Sequence, residues 1–157
     1  IKERNKMSLN LEESWEINAK KLEKKFKKYK KNPYYKIELE QISKTIKIKW
    51  SNQIIAESNE CIILHEEAHS QVYYFPPISI KEKYFLRTDL ATHCPYKGNA
   101  AYWTLSFKNT LAENAVWAYP YPYKNLIKIK DYYAFYSEGM GKDFGMVSLR
   151  LNLFGDF

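Results

Sequence analysis

The chain has 157 residues, of which 45% are apolar and 17% aromatic, with a formal net charge of +7 and two cysteines. That length suits one domain with its own core, and so many rings exclude a disordered chain. No apolar run reaches the ~20 residues that cross a bilayer as a helix, and Cys61 and Cys94 make no secreted-type disulfide framework.

The opening IKERNKMSLN is too polar for a signal peptide, and a reducing cytoplasm is the expectation. The first residue is Ile, so the native start is expected upstream or at Met7. Asn10 followed by Glu13 has the spacing of a capping box, which satisfies free N–H groups at a helix start. From there Leu11, Trp15, Ala19, Leu22, Phe26 and Tyr29 recur every three or four residues, one apolar stripe on a charged helix. Asn32-Pro33 ends it, because proline disfavours α geometry in the residue before it. Residues 20–31 hold eight Lys and one Glu, so this segment carries the whole net charge and the remainder sums to zero. The stripe is expected to dock on the rest of the domain or in a homodimer, and the lysines make nucleic acid or anionic membrane a candidate partner of 20–31.

After Pro33 the periodicity becomes two. In TIKIKW, Ile46, Ile48 and Trp50 face one way and Thr45, Lys47 and Lys49 the other, a half-buried strand; Ser51-Asn52-Gln53 turns the chain into a second one. CIILHE, QVYYF, AAYWTLSF, LAENAVWAY, DYYAFYSE and MVSLRLNLF read as further short strands, punctuated by Pro, Gly or Asn. The organisation is a helix over 1–33 and an antiparallel β domain over 34–157.

Several stretches could carry chemistry. His65, Glu66 and His69 fit the H-E-x-x-H zinc pattern, but β-like residues on both sides make LHEEAHSQ a turn with solvated polar groups. THCPYKGNAAYW, residues 92–103, reads as a turn that Pro95 opens and Gly98 closes. Cys94 is a small buried group there, or a nucleophilic or redox thiol tuned by Lys97 and by His69 or His65. His93 is a poorer base, since adjacent side chains in extended chain face opposite ways. Aromatic doublets force rings onto both faces of their strands, and the second face can stack on a ligand. No P-loop, G-x-S-x-G elbow or dinucleotide fingerprint occurs, and no cofactor or metal is expected.

The ordered series VYYFPP (72–77), THCPYKGNAAYW (92–103), AENAVWAYPYP (112–122) and YYAFYSE (132–138) resembles the domain of unknown function 427 family, over about residues 35–138. The lysine helix and a C-terminal strand extension lie outside that pattern. The resemblance implies a mainly β, compact antiparallel β-tent (Mss4-like) domain, here with an added N-terminal amphipathic basic helix. Relatives in that wider group bind zinc through paired C-x-x-C knuckles, which are absent here, and one branch reduces methionine sulfoxide with a cysteine. The nucleotidyltransferase-like label sometimes attached to the family would require a Gly-Ser turn and an Asp-x-Asp/Glu metal site, and neither occurs.

The leading expectation is a small-molecule or modified-group site beside the CPYKG turn. Gly98 would admit the ligand, Lys97 would neutralise an anionic group on it, and Tyr74, Trp103, Trp117 and Tyr136 would supply ring faces. The alternatives are a cysteine-dependent enzyme using Cys94, Lys97 and His69, and an interaction module acting through the lysines.

Overall fold

The structure, a computed structural model, describes residues 2–137 and 144–148. Helix α1 spans Lys2–Phe26, and among the described residues ten strands follow: β1 Ile37–Gln41, β2 Ile46–Trp50, β3 Gln53–Ser58, β4 Ile62–Glu66, β5 Val72–Tyr74, β6 Phe85–Cys94, β7 Gly98–Phe107, β8 Thr110–Ala118, β9 Ala134–Phe135 and β10 Phe144–Ser148. They pair antiparallel in three sheets, ordered β1-β4-β5, β10-β2-β3 and β6-β7-β8-β9. The chain is therefore mainly β with an N-terminal helix. The part of MVSLRLNLF beyond Ser148 lies outside the described residues.

Alternation governs the β2–β3 hairpin as the sequence predicts. Ile46, Ile48 and Trp50 are buried, and Ser51 and Asn52 take the left-handed φ of +50° and +60° that a two-residue hairpin turn demands. These residues pack with Ile55, Phe75, Leu105 and Val116 in one core cluster. A second cluster joins Ile62, Leu64 and Tyr74 to Ala100, Tyr119, Leu126, Ile129 and Ala134. The β6–β9 sheet thus contributes to both clusters.

Two strands add to those expected from the sequence. β1 (IELEQ) alternates Ile37 and Leu39 with Glu38 and Glu40 but is short and went unread, while β6 (FLRTDLATHC) has no clean apolar alternation. Part of the reason lies in register. β6 slips against β7 between Arg87 and Ala91, and β8 slips against β7 between Ala112 and Val116. Such bulges break the two-residue period locally.

The helix also differs from expectation at both ends. It begins well before Asn10, so the Asn10/Glu13 pair lies in its interior and is no cap; KERNKMSL contains mostly good helix formers. It stops at Phe26, short of Asn32-Pro33. Lys27 N–H to Lys24 O at 3.4 Å and Tyr29 N–H to Phe26 O at 2.9 Å are tightened bonds of a closing turn. Continuing it would stack like charges three and four residues apart. The main-chain N–H of Asn32 instead finds the Tyr96 hydroxyl at 2.8 Å.

The stripe docks on the β domain. Trp15 is only 2% exposed, packs with Ala19 and Ala101, and donates its Nε1–H to Ala100 O at 3.0 Å. The slipped part of β6 receives the helix: Ser14 Oγ donates to Asp89 at 3.1 Å, Asn18 Nδ2 to Asp89 O at 3.0 Å, and Arg87 pairs with Glu12 at 3.0 Å. The Arg87 guanidinium lies 5.4 Å from the Trp15 ring and 5.1 Å from that of Trp103. Replacing Trp15 by Ala removes a large buried ring and its hydrogen bond together. A loss of about 3–5 kcal/mol in unfolding free energy is expected from denaturant titration.

Candidate functional site

The CPYKG stretch is a tight turn joining β6 to β7, as its proline and glycine predict. Cys94 pairs with Gly98, and the Lys97 N–H donates to Cys94 O at 3.2 Å. Gly98 has φ +118°, and a Cβ built there would lie 3.0 Å from the carbonyl oxygen of Tyr121. The close approach that this glycine permits is thus to the protein's own backbone. The Tyr123 N–H donates to Lys97 O at 3.0 Å and holds the same strand of chain against the turn.

Lys97 reaches across to Glu66, the last residue of β4. Its Nζ is 2.5 Å from Glu66 Oε1, with the side chains 13% and 11% exposed. The Tyr35 hydroxyl donates to the other oxygen of Glu66, and the Tyr35 ring stacks on Tyr96 at 4.2 Å. Burial by itself pushes the Glu66 carboxyl up. The hydrogen bonds from Lys97 and Tyr35 outweigh that effect, and the carboxyl titrates below its ordinary value. Burial, then the bond to Glu66, raises Tyr35 far above the usual tyrosine range. The lysine expected to meet an anionic ligand is therefore already paired within the protein.

Beside this pair lies a cavity of about 350 Å3, lined by Val72, Tyr74, Lys97, Tyr102, Asn114, Trp117, Tyr119 and Tyr136. Tyr74, Lys97, Trp117 and Tyr136 are thus brought together. Trp117 Nε1–H donates to the Tyr74 hydroxyl at 3.2 Å, which locks those two rings edge to face. Trp103 is not among the lining residues: it faces the other side of β7, 4.9 Å from Tyr133 and packed on the helix-side cluster. Its neighbour Tyr102 takes that place, because consecutive residues of a strand point to opposite faces. Gly98 lies outside the cavity too. A second hollow of about 350 Å3 shares Val72, Trp117 and Tyr136, so these three border both spaces.

Tyr102, Asn114, Tyr119, Glu66 and Tyr35 escaped the sequence reading of the site. Asn114 sits in the slipped part of β8 with φ +49°, where its N–H donates to Thr104 Oγ1 at 3.1 Å. Its side-chain oxygen accepts from Thr88 Oγ1 at 2.6 Å, tying the two bulges together across β7. Only the bulges bring Asn114 there, and slips of two residues, four on β8 against two on β7, leave little mark on composition.

The remaining candidates are dispersed. LHEEAHSQ runs from strand into turn, with Ala68 at φ +62°, so His65 and His69 do not share a helix face. His65 Nε2 meets Glu40 at 2.7 Å, His93 Nδ1 meets Asn99 at 2.6 Å, and His69 is exposed. Among the described residues no group of three His, Cys, Asp or Glu side chains converges on a metal position. Cys61 is fully buried, and burial pushes its thiol up to about 12. Cys94 is half-buried beside the tyrosine-rich junction, while the Lys97 ammonium that would tune it is engaged by Glu66.

The architecture and the aromatic cavity define a mainly β domain with an N-terminal helix. The chain belongs to the family described as Domain of unknown function (DUF427), whose pattern matches residues 38–144. The match extends beyond the C-terminal limit of about 138 that the motifs marked. No curated protein matches the chain.

Two outcomes follow from this geometry. The depressed Glu66 carboxyl contributes stability that is fully present above its ordinary value of 4.5 and is lost as pH falls through the lower folded value. Glu66→Gln should cost about 3 kcal/mol at neutral pH, since it strands the Lys97 charge. The gap to wild type in denaturant titration should narrow as pH falls below 4.5. Gly98→Ala should cost about 1–3 kcal/mol, because the left-handed backbone and the Tyr121 carbonyl both oppose a Cβ. Thermal unfolding measures it.

Proposed function

We propose that this is a small-molecule-binding β domain whose aromatic cavity takes an uncharged, planar ligand or modified group. The observation that carries the reading is the convergence of Tyr74, Tyr102, Trp117, Tyr119 and Tyr136 on one hollow of about 350 Å3. That size falls within the range of small-ligand sites, and rings with a few polar groups are their usual walls. The Lys97–Glu66 pair leaves the cavity no unmatched lysine charge, so the ligand is neutral rather than anionic. Asn114, held by Thr88 and Thr104, supplies a polar group to orient one edge of it. The β-tent architecture and the cytoplasmic setting belong to the same reading and rest on the sequence.

A cysteine-dependent enzyme is the second reading, favoured by one observation: Cys94 is half-buried and shares its turn with Lys97, whereas Cys61 is sealed. Rapid alkylation by iodoacetamide below neutral pH, absent in Cys94→Ser, would support it over the first.

The binding reading is tested by thermal shift against a library of uncharged aromatic heterocycles, with intrinsic tryptophan fluorescence as a second readout. A ligand should stabilise the wild type by several degrees, and Tyr136→Ala should weaken its affinity about 5- to 10-fold, consistent with about 1 kcal/mol for one ring contact. Tyr136 is 50% exposed, so the variant is expected to fold. Added salt should leave the affinity nearly unchanged, as befits a neutral ligand. A library in which no compound stabilises wild type more than Tyr136→Ala would end the proposal.

A further inference from the structure

The lysines at the end of α1 are not scattered over a convex surface. Lys20, Lys24, Lys27 and Lys31 line a groove of about 710 Å3, together with Tyr29 and Tyr123. A smaller hollow of about 320 Å3 shares Lys20 and Tyr123 and extends the space to Tyr121. Two acids border the space: Glu23, engaged by the Asn99 amide at 2.5 Å, and Glu16 in the smaller hollow, against four lysines. Tyr29, Tyr121 and Tyr123 are 50%, 67% and 38% exposed, and Lys31 Nζ stands 4.3 Å from the centre of the Tyr123 ring. Fixed positive charge and accessible rings therefore share one channel.

The docking of the helix narrows what can fill it. An amphipathic helix that lies in a membrane inserts its apolar stripe. Here Trp15 and Ala19 are buried against β7, so the stripe is already used and the lysines are displayed without a wedge. A second copy of the chain would bring the same positive charge to the groove. A nucleic acid duplex would offer phosphates to the lysines but keeps its base faces stacked away from the tyrosines. A single strand offers both, since every base has a face that stacks on a ring.

We infer that this groove binds single-stranded nucleic acid. The lysines contact successive phosphates, and Tyr29, Tyr121 and Tyr123 provide platforms for bases. The binding is tolerant of sequence, because stacking and charge attraction distinguish bases weakly. It is separate from ligand capture in the aromatic cavity.

The test uses the full chain and a fluorescein-labelled oligouridylate of about 12 nucleotides, read by fluorescence anisotropy. Four phosphate contacts imply a loss of about 50-fold in affinity between about 50 and 200 mM salt. Lys24→Glu combined with Lys27→Glu should weaken binding further and flatten that salt dependence. Tyr29→Ala and Tyr123→Ala should each cost about 5- to 150-fold while leaving the salt dependence unchanged. The two rings sit on different chain segments, so local damage at one is checked by the other. Preference for the single strand over a duplex of equal length is read on the wild type alone and should exceed about 10-fold. Undetectable binding, ring variants that bind like wild type, equal affinity for duplex, or tighter capture by phosphatidylserine vesicles would each overturn the assignment. Tyr136→Ala, in the other cavity, should bind the oligonucleotide as wild type does.

Discussion

The ion pair between Glu66 and Lys97 is the constraint on which the middle of the molecule depends. Its two partners come from different sheets, one from the end of β4 and the other from the turn between β6 and β7. A largely buried pair of this kind adds little or no net stability over a well-packed apolar substitute, because desolvation offsets the attraction. Its larger effect is on position, since removing either partner leaves a stranded charge. Tyr35 completes the arrangement by filling the second carboxylate oxygen and stacking on Tyr96. The same Tyr96 accepts from Asn32 and meets the Tyr29 ring edge-on, so the chain leaving the helix is strapped to the turn as well. One short turn thereby ties together the helix exit, two sheets and the 121–123 segment.

Strand β7 separates two environments by the simplest property of extended chain, its alternation. Tyr102 and Trp103 are adjacent and face opposite ways. The first borders the cavity, and the second stacks beneath Arg87 on the side that receives the helix. The two bulges beside β7 divide in the same way. That in β6 presents Asp89 to Ser14 and Asn18 of α1, and that in β8 presents Asn114 to the cavity. The Thr88–Asn114 hydrogen bond at 2.6 Å joins them. Helix docking and cavity shape are therefore mechanically connected through a single strand.

The N-terminal helix combines anchorage with display. Its apolar stripe is consumed at Trp15 and Ala19, and its lysines follow where the helix unwinds toward Tyr29. Ending the helix early lets residues 27–31 turn toward Tyr123 instead of projecting further into solvent, as Lys31 over that ring shows. The net charge of the whole chain is thus carried by one segment, residues 20–31, of an otherwise neutral sequence.

Local patterns determined much of this protein: the docking stripe of the helix, the β2–β3 hairpin, the Pro95–Gly98 turn, and a surplus of rings beyond what one face can hold. Each depends on contacts or backbone preferences within a few residues, and such preferences are written directly in spacing and residue type. Alternation also left Tyr74, Trp103, Trp117 and Tyr136 as candidates for a common wall, and of these Tyr74, Trp117 and Tyr136 line one cavity while Trp103 does not. Tertiary structure alone decided which member of each aromatic doublet faces the cavity, that Glu66 is the partner of Lys97, that Tyr121 is the neighbour of Gly98, and that β6 is a strand. Those outcomes depend on register and on pairings between residues 23 to 31 positions apart or farther in the chain. A slip of one residue reverses every side chain after it, while the composition of the segment stays the same.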